Sequence, residues 1–374
     1  MGSLKANLIT FDTFAKIYFM KLLTYLLILS VIISSCKKEE KEPTVNLPKD
    51  YGQGMYILTD QGVSFYNYLA VDSLRVVTEN IYKKVNNTDI IQPKSIHISG
   101  KHAYIIGDKL YIANMETFGN EGMVGGFSNP VSCKKVDEDR LYVVDKGDAT
   151  VKIVDLNKKE VSGHIETGEG TRPINIVNNW FRAIVMNGGG STFADRDNSI
   201  VAIDYFQSGV PVNIVSDMLN LNYNSNSAVF GNHDLWVLCG GISDSQNPSN
   251  NTESRIYQVW PYNTLTINKW GVIPGIFNAN NLVINKNKDH LFFTSEAGIY
   301  ITNLEVYPNI HIPGAGIDAS FLAINTEIND SIWTEYLYTN DATQSGKVLK
   351  YEAWTGDCVD TITLNGNVLE VAFY

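Results

Sequence analysis

Carboxylate and amide oxygens gather in one segment of the chain, at Asp195, Asp197 and Asn198, and Ca²⁺ prefers ligands of this kind. They lack the regular spacing, and the final bidentate glutamate, of a known calcium-binding loop. Solvated loop charge is therefore the favoured interpretation, and no metal site is predicted. The three glycines at 188–190 precede neither a helix-start pattern nor a phosphate-binding lysine. They predict a turn rather than a nucleotide-binding loop.

The histidine, serine and cysteine residues form no recognisable catalytic motif. No histidines have the close spacing of metal ligands, and no serine or cysteine stands in a known nucleophile motif. The six histidines are His97, His102, His164, His233, His290 and His311. We predict no catalytic residue and no cofactor, and we expect that the chain is not an enzyme.

Charge and cysteine content narrow the class of protein. Without residues 1–35 the chain has 26 basic and 39 acidic side chains, a net charge of −13, so nucleic acid and anionic membrane surfaces are poor partners. Beyond position 36 only Cys133, Cys239 and Cys358 remain. Because three is an odd number, we interpret them as buried or unpaired thiols rather than as a disulfide framework.

Short β-branched and aromatic runs dominate the chain from residue 52 onward. Seven such runs start 38 to 56 residues apart, and each is followed by a polar turn and a second run, so each pair predicts a β-hairpin. Helical periodicity is nearly absent. The first runs are 55–58, 103–106, 141–144, 183–186, 235–238, 291–294 and 332–334, and their partners are 63–66, 110–113, 151–155, 200–204, 256–259, 299–301 and 348–351.

An upstream strand precedes most of the hairpins, and a weaker strand follows at 161–165. Four strands in 40 to 50 residues is the period of a propeller blade, so residues 52–374 predict an all-β, seven-bladed β-propeller. The first hairpin has no upstream strand of its own, whereas a final strand at 368–373 follows the seventh. We predict that this final strand is the inner strand of the first blade and closes the ring, because closure removes open sheet edges. The predicted upstream strands are 93–98, 130–136, 173–177, 282–284 and 321–324.

Two loops of the predicted ring are long, at 187–198 in blade four and 240–254 in blade five. Long loops on a rigid scaffold often carry binding sites, and arginine and aromatic side chains bind ligands at low ordering cost. The alternative is that these loops are merely tolerated insertions. The candidate ligand or partner contacts are Arg172, Phe193, Asp195, Arg196, Asp197, Tyr223, Phe277 and Tyr338.

The segment before the ring has the pattern of a secretory signal, with Lys21, an apolar run at 22–33 and two small residues before Cys36. We predict that residues 1–35 are a signal peptide with its true start at Met20. A membrane-spanning helix is the alternative, but the run reaches about 20 residues only if it includes two lysines. Residues 36–51 are charged and turn-rich, which predicts a flexible tether.

The four residues that end at Cys36 resemble the bacterial lipobox. This resemblance implies that Cys36 carries the lipid that anchors the chain in the outer membrane. Lys38, Glu39 and Glu40 resemble the surface-export signal of Bacteroidota lipoproteins, which implies exposure at the cell surface; retention in the periplasm is the alternative.

The repeat itself resembles two families. Residues 141–145, 151–156 and 163–168 resemble the YncE-like repeat of surface-layer-type propellers, and the opening at 55–66 and 102–106 resembles the DUF5074 propeller lipoproteins of Bacteroidota. The family's Asn-Glu-Gly start is replaced in this chain by residues 59–62, of sequence TDQG.

The resemblance implies a surface lipoprotein that binds a small molecule or docks on a TonB-dependent transporter, distantly like cobalamin-binding surface lipoproteins. The second function class is a propeller enzyme, a lyase or hydrolase acting on carbohydrate. It requires carboxylates and a histidine that converge in the central channel.

Overall fold

The computed structural model describes residues 51–70, 75–168, 170–190, 195–296, 298–304, 311–329 and 332–374. The predicted signal peptide, Cys36, residues 36–50 of the predicted tether and Phe193 lie outside these residues. Within the described residues, 28 strands form seven four-stranded antiparallel sheets. The predicted seven-bladed β-propeller is confirmed.

The strands of a blade follow one another from the centre of the ring outwards. Blade one is β28 (Val368–Phe373), β1 (Met55–Thr59), β2 (Gly62–Tyr66) and β3 (Val77–Thr78). Blade two is β4 (Ser95–Ser99), β5 (His102–Ile106), β6 (Leu110–Asn114) and β7 (Asn120–Val124). Blade three is β8 (Pro130–Lys135), β9 (Arg140–Asp145), β10 (Thr150–Asp155) and β11 (Glu160–Glu166). Blade four is β12 (Asn175–Asn178), β13 (Arg182–Gly189), β14 (Arg196–Gln207) and β15 (Val210–Asn220).

The remaining three blades have the same arrangement. Blade five is β16 (Ser225–Phe230), β17 (Leu235–Cys239), β18 (Arg255–Trp260) and β19 (Thr266–Val272). Blade six is β20 (Asn280–Ile284), β21 (His290–Ser295), β22 (Gly298–Asn303) and β23 (His311–Ala315). Blade seven is β24 (Leu322–Asn329), β25 (Ile332–Thr339), β26 (Lys347–Glu352) and β27 (Cys358–Thr363). Helix α1 (Ile81–Asn86) connects blades one and two, and a 3₁₀ turn (Pro248–Asn250) lies between β17 and β18.

The apolar core lies between the blades. Strands in the middle of a blade are buried on both faces, as in β1, and this accounts for their continuous apolar runs. Seven apolar clusters form in this way, and each joins two neighbouring blades. One of them packs Tyr338 and Val348 of blade seven against Met55 and Ile57 of blade one, so the core is continuous around the ring.

The C-terminal strand closes the ring, as predicted. β28 pairs antiparallel with β1, with Met55 opposite Phe373 and Leu58 opposite Glu370. Gly54 and Tyr374 exchange two backbone hydrogen bonds of 3.0 and 3.1 Å beyond the end of this pairing. Blade one is therefore built from both ends of the ring.

The inner strands all start on one face of the ring, which we name the front face. It carries the loops between the second and third strands of each blade and the connections from one blade to the next. The other two turns of each blade form the rear face. The described chain starts there, because Tyr51 and Gly52 precede the rear end of β1.

Three details differ from the sequence prediction. Half of the predicted 187–198 loop is strand, since β13 continues to Gly189 and β14 begins at Arg196, and residues 190–195 connect them. Helix α1 and strand β16 had no predicted counterpart.

No helix among the described residues has the length and apolar character needed to span a bilayer.

Candidate functional site: the front-face funnel

A central cavity of about 470 Å³ is lined by residues from the inner strands of all seven blades, close to their front ends. A second cavity of about 430 Å³ lies beside it on the front face, at blades three to six. The two share Ile174, Asn175 and Asn280 as lining residues. We name the second cavity the funnel. Its lining residues are Lys146, Ile174, Asn175, Gly189, Gly190, Arg196, Asn224, Asn226, Asn278 and Asn280.

The structure brings four of the predicted site residues together at the edge of the funnel. Arg172 lies on the connection into blade four, and its Nη2 pairs with Asp195 Oδ1 at 3.1 Å. Asp197 Oδ2 lies 3.4 Å from the backbone nitrogen of Arg172. Arg196, between the two aspartates at the start of β14, lines the funnel itself.

The glycines at the end of β13 permit this close packing. Gly189 has φ +78°, and a Cβ there would lie 2.2 Å from the backbone oxygen of Asp195, so no other residue fits. A Cβ on Gly190 would lie 2.9 Å from Arg172 Nη1. The three-glycine run thus builds a turn on which Arg172 and Asp195 can meet.

Asp197 supports its own backbone. Its Oδ1 accepts a hydrogen bond from the Asn198 nitrogen at 2.6 Å, and its backbone oxygen accepts one from the Asn224 nitrogen at 2.7 Å. Within the described parts of the chain, no three acidic, cysteine or histidine side chains cluster as a metal site would require.

Arg196 and Lys146 differ from the other charged residues of this face. Both are half-buried, and neither side chain has a hydrogen bond or ion pair with any residue that the structure describes. Burial lowers the pKa of Arg196, and burial followed by repulsion from Arg172 and Arg196 lowers the pKa of Lys146. Two partly desolvated cations therefore face the funnel, with Asp195 as the nearby opposing charge.

Asparagine side chains line the rest of the funnel. Asn175 Nδ2 donates to the Asn226 carbonyl at 3.2 Å, and Asn226 Nδ2 donates to the Ala279 carbonyl at 2.7 Å. Asn278 Nδ2 donates to Glu296 at 2.9 Å, whereas its buried Oδ1 accepts no hydrogen bond from the described residues. The funnel thus contains an open acceptor near its cations.

Three titratable side chains meet in the central cavity, and the sequence analysis did not place them there. Glu370 lies on β28, His97 on β4 and Lys134 on β8. Glu370 Oε2 accepts a hydrogen bond from the Ile96 nitrogen at 2.8 Å, and Lys134 Nζ lies 3.3 Å from His97 Nδ1. Each is a polar residue inside a predicted inner strand, and that was the available signal.

The cavity sets the protonation of two of these groups. Burial raises the pKa of Glu370 to about 7. Burial, followed by the charge of Lys134, lowers the pKa of His97 to about 3. Near neutral pH the imidazole of His97 is therefore uncharged and can accept a hydrogen bond from Lys134. The Glu370 carboxyl is close to its pKa at this pH, so its protonated and ionised forms are both populated.

The remaining predicted contacts have different positions. Tyr223 and Phe277 lie on the front-face connections into blades five and six. The prediction that Tyr338 lies on the rim is wrong, because β25 continues to Thr339 and turns this side chain into the core between blades seven and one. Its hydroxyl donates a hydrogen bond to the carboxylate of Glu327.

No family model and no curated protein matches the chain. Many solved structures are similar to it in fold, including the following three. A candidate 6-phosphogluconolactonase of Bacteroides fragilis has a TM-score of 0.61 and 10% identity, over 87% of this chain and 98% of its own. A quinoprotein alcohol dehydrogenase-like protein of Bacteroides thetaiotaomicron has a TM-score of 0.58 and 12% identity, over 86% and 78%. Hydrazine synthase of Kuenenia stuttgartiensis has a TM-score of 0.54 and 15% identity, over 71% and 78%. At these identities the likeness shows a shared fold alone.

Proposed function

We propose that this chain is a lipid-anchored, non-enzymatic propeller that binds a small anionic molecule in the front-face funnel. The observation that carries the proposal is the pair of half-buried cations, Lys146 and Arg196, for which no described residue supplies a partner. Desolvated cations are costly, and an anionic ligand would offset that cost.

The rest of the funnel narrows the ligand class. A carboxylate or phosphate group would sit between Lys146 and Arg196, where a guanidinium can donate two parallel hydrogen bonds. A hydroxyl or amine of the same molecule would donate to Asn278 Oδ1. The volume of about 430 Å³ suits a small molecule rather than a polymer.

Binding can be tested by calorimetry with inorganic phosphate, citrate and a panel of sugar phosphates and sugar acids. We expect Arg196→Gln and Lys146→Gln each to weaken the binding of a positive compound about tenfold or more, because each removes a charge-assisted contact. Arg196→Lys should retain part of the affinity. Lys101→Gln, on the exposed rear face, is the matched control. If both funnel variants bind as tightly as the unsubstituted chain, the site is wrong.

The anchoring half of the proposal depends on Cys36 and on the export pattern at residues 38–40. Cys36→Ala should release the chain from the membrane fraction and remove the acyl mass from its N-terminus. Protease treatment of intact cells separates surface exposure from periplasmic retention. A TonB-dependent transporter is the partner that we propose for ligand transfer, and co-purification in mild detergent tests it.

One observation favours the carbohydrate lyase or hydrolase alternative. The central cavity does combine a carboxylate, a histidine and a lysine, in Glu370, His97 and Lys134. Most glycoside hydrolases use a pair of carboxylates, whereas these three residues include only one. Turnover of any carbohydrate that is abolished by Glu370→Gln would establish the alternative and overturn the non-enzymatic proposal.

A further inference from the structure

Four of the six tryptophans of the chain lie exposed on the rear face. They come from three blades: Trp180 from the first turn of blade four, Trp260 from the third strand of blade five, and Trp333 and Trp354 from blade seven. Their exposed fractions are 79%, 41%, 59% and 44% in that order. Tryptophan is enriched at protein interfaces and at membrane surfaces, where one end of the ring is apolar and the other is in contact with water.

Other apolar side chains extend this surface. Of twenty large apolar side chains that are exposed among the described residues, eleven lie on the rear face, and two, Ile91 and Tyr223, lie on the front face. The others lie on outer strands or on α1. The rear-face set is Leu69, Val76, Trp180, Phe206, Val210, Trp260, Ile328, Ile332, Trp333, Trp354 and Tyr374.

The chain also reaches the ring at this face. The Tyr51 ring packs edge-on against Phe65 and Phe118, with ring centroids 5.6 and 5.9 Å apart, and Gly52 hydrogen-bonds to the Tyr56 hydroxyl. These contacts fix the start of the described chain at the rear of blades one and two. If the 15 residues from Cys36 to Tyr51 form the flexible tether that the sequence predicts, the tether would span roughly 20 Å, a short distance beside the width of a ring.

We propose that the rear face rests on the surface of a lipid bilayer, with Trp180, Trp260, Trp333 and Trp354 at the level of the headgroups. Tryptophan favours this region because its ring is apolar and its N–H can still hydrogen-bond to water or headgroups. The front-face funnel then opens away from the membrane. This inference goes beyond the ligand site and takes only the position of the anchor from the proposed function.

The bilayer is favoured as the occupant for two reasons. With the proposed lipid on Cys36, the predicted tether would keep a membrane within reach of the rear face at all times. Its negative net charge gives no general attraction to anionic lipid, so contact would depend on apolar and aromatic burial and should be insensitive to salt.

The test uses the chain from residue 37 onward, which lacks the predicted lipid site at Cys36 and keeps every described strand. Binding to phosphatidylcholine vesicles is measured by co-sedimentation, and quenching of tryptophan fluorescence by brominated lipid reports insertion. We expect binding that a rise in salt leaves unchanged. Trp180→Ser combined with Trp333→Ser should weaken it about tenfold or more, because two large rings no longer leave water.

Trp270→Ser is the matched control, since Trp270 is 53% exposed but lies on the outer strand β19. Thermal unfolding confirms that each variant folds, and calorimetry with inorganic phosphate or citrate shows whether the funnel is unchanged. The proposal is overturned if the unsubstituted chain does not bind vesicles at millimolar lipid, or if the control loses as much binding as the double variant. It is also overturned if the rear-face substitutions abolish self-association instead, because the occupant is then a second copy.

Discussion

Two arginines in the same blade show how differently the two faces of the ring use charge. Arg182 begins β13 on the rear side, and its side chain is 4% exposed. It pairs with Asp204 at 2.6 Å and donates to the carbonyls of Pro261 and Asn263 at 2.9 and 3.1 Å. Arg196 begins β14 on the front side, half-buried, with no such partner among the described residues.

Three other cations follow the same division, although Arg172 and Asp195 do form an ion pair on the front face. On the rear side, Lys350 pairs with Glu327 at 2.7 Å, and Arg140 pairs with Asp137 at 2.6 Å. On the front side, Lys146 has repulsive neighbours in Arg172 and Arg196. Paired charges fix the packing of blades, whereas cations without a partner remain available to a ligand. The comparison therefore separates residues that stabilise the ring from residues that can bind.

The largest effect should come from Arg182→Met. The substitution leaves the Asp204 carboxylate and two carbonyls without their donor in a buried position, and we expect a loss of about 3–5 kcal/mol in the free energy of unfolding. Urea unfolding measures it. Arg182→Lys keeps the charge but loses the guanidinium fork, so its loss should be intermediate. A loss below about 1 kcal/mol for Arg182→Met would break the comparison.

A smaller effect, which depends on pH, should come from Glu370→Gln. The pKa of Glu370 is raised from 4.5 to about 7 in the folded protein. The contribution of its protonated form to the free energy of unfolding is therefore fully present below pH 4.5 and is lost as the pH rises through 7. Glutamine stays neutral and can still accept the Ile96 hydrogen bond. Because Glu370 is half-buried, we expect the variant to be about 1–2 kcal/mol more stable than the parent near pH 8.

The control for Glu370→Gln is the same pair of proteins near pH 4, below the unfolded-state pKa of 4.5, where the free energies of unfolding should agree closely. His97 is present in both, and its lowered pKa costs stability as the pH falls from 6.5 towards 3 in either protein. An equal difference between the two proteins at both pH values would mean that Glu370 is already ionised at the lower pH.

The smallest change should come from Arg196→Met. No described contact is lost, and repulsion with Lys146 is removed, so the free energy of unfolding should stay within about 1 kcal/mol of the parent or rise slightly. Urea unfolding without added anions measures it. With phosphate or citrate added, only the parent should gain stability. A loss above about 2 kcal/mol would show that Arg196 stabilises the ring as Arg182 does.

The fold was predictable because each blade repeats the same local signals. The paired runs of β-branched and aromatic residues predicted all seven hairpins. The additional strand after the seventh hairpin predicted the pairing that closes the ring. Strand β16 was missed because Ser225–Phe230 mixes small polar residues with few apolar ones. Its burial comes from packing between blades, which a local pattern does not contain.

The site was predictable only where it lies on one segment. Residues 195–197 and Arg172 were selected from loops, and they do meet. The funnel residues Lys146 and Asn278 are far apart in the sequence, and so are the three titratable residues of the central cavity. Only the folding of the chain into a ring places the members of each set together. The prediction for Tyr338 was wrong because no local sequence pattern shows that β25 continues past this residue.

The pairing of β28 with β1 also has a consequence for biosynthesis. Asn367 hydrogen-bonds to Asp60, 307 positions earlier, so the first blade stays incomplete until β28 has been made. During synthesis one edge of β1 therefore stays unpaired until then, and an unpaired strand edge can pair with other chains and cause aggregation. The loop that closes spans nearly the whole chain, which makes this a slow step. A chain that is released before β28 has been made would therefore be an open ring in which one edge of β1 is still unpaired.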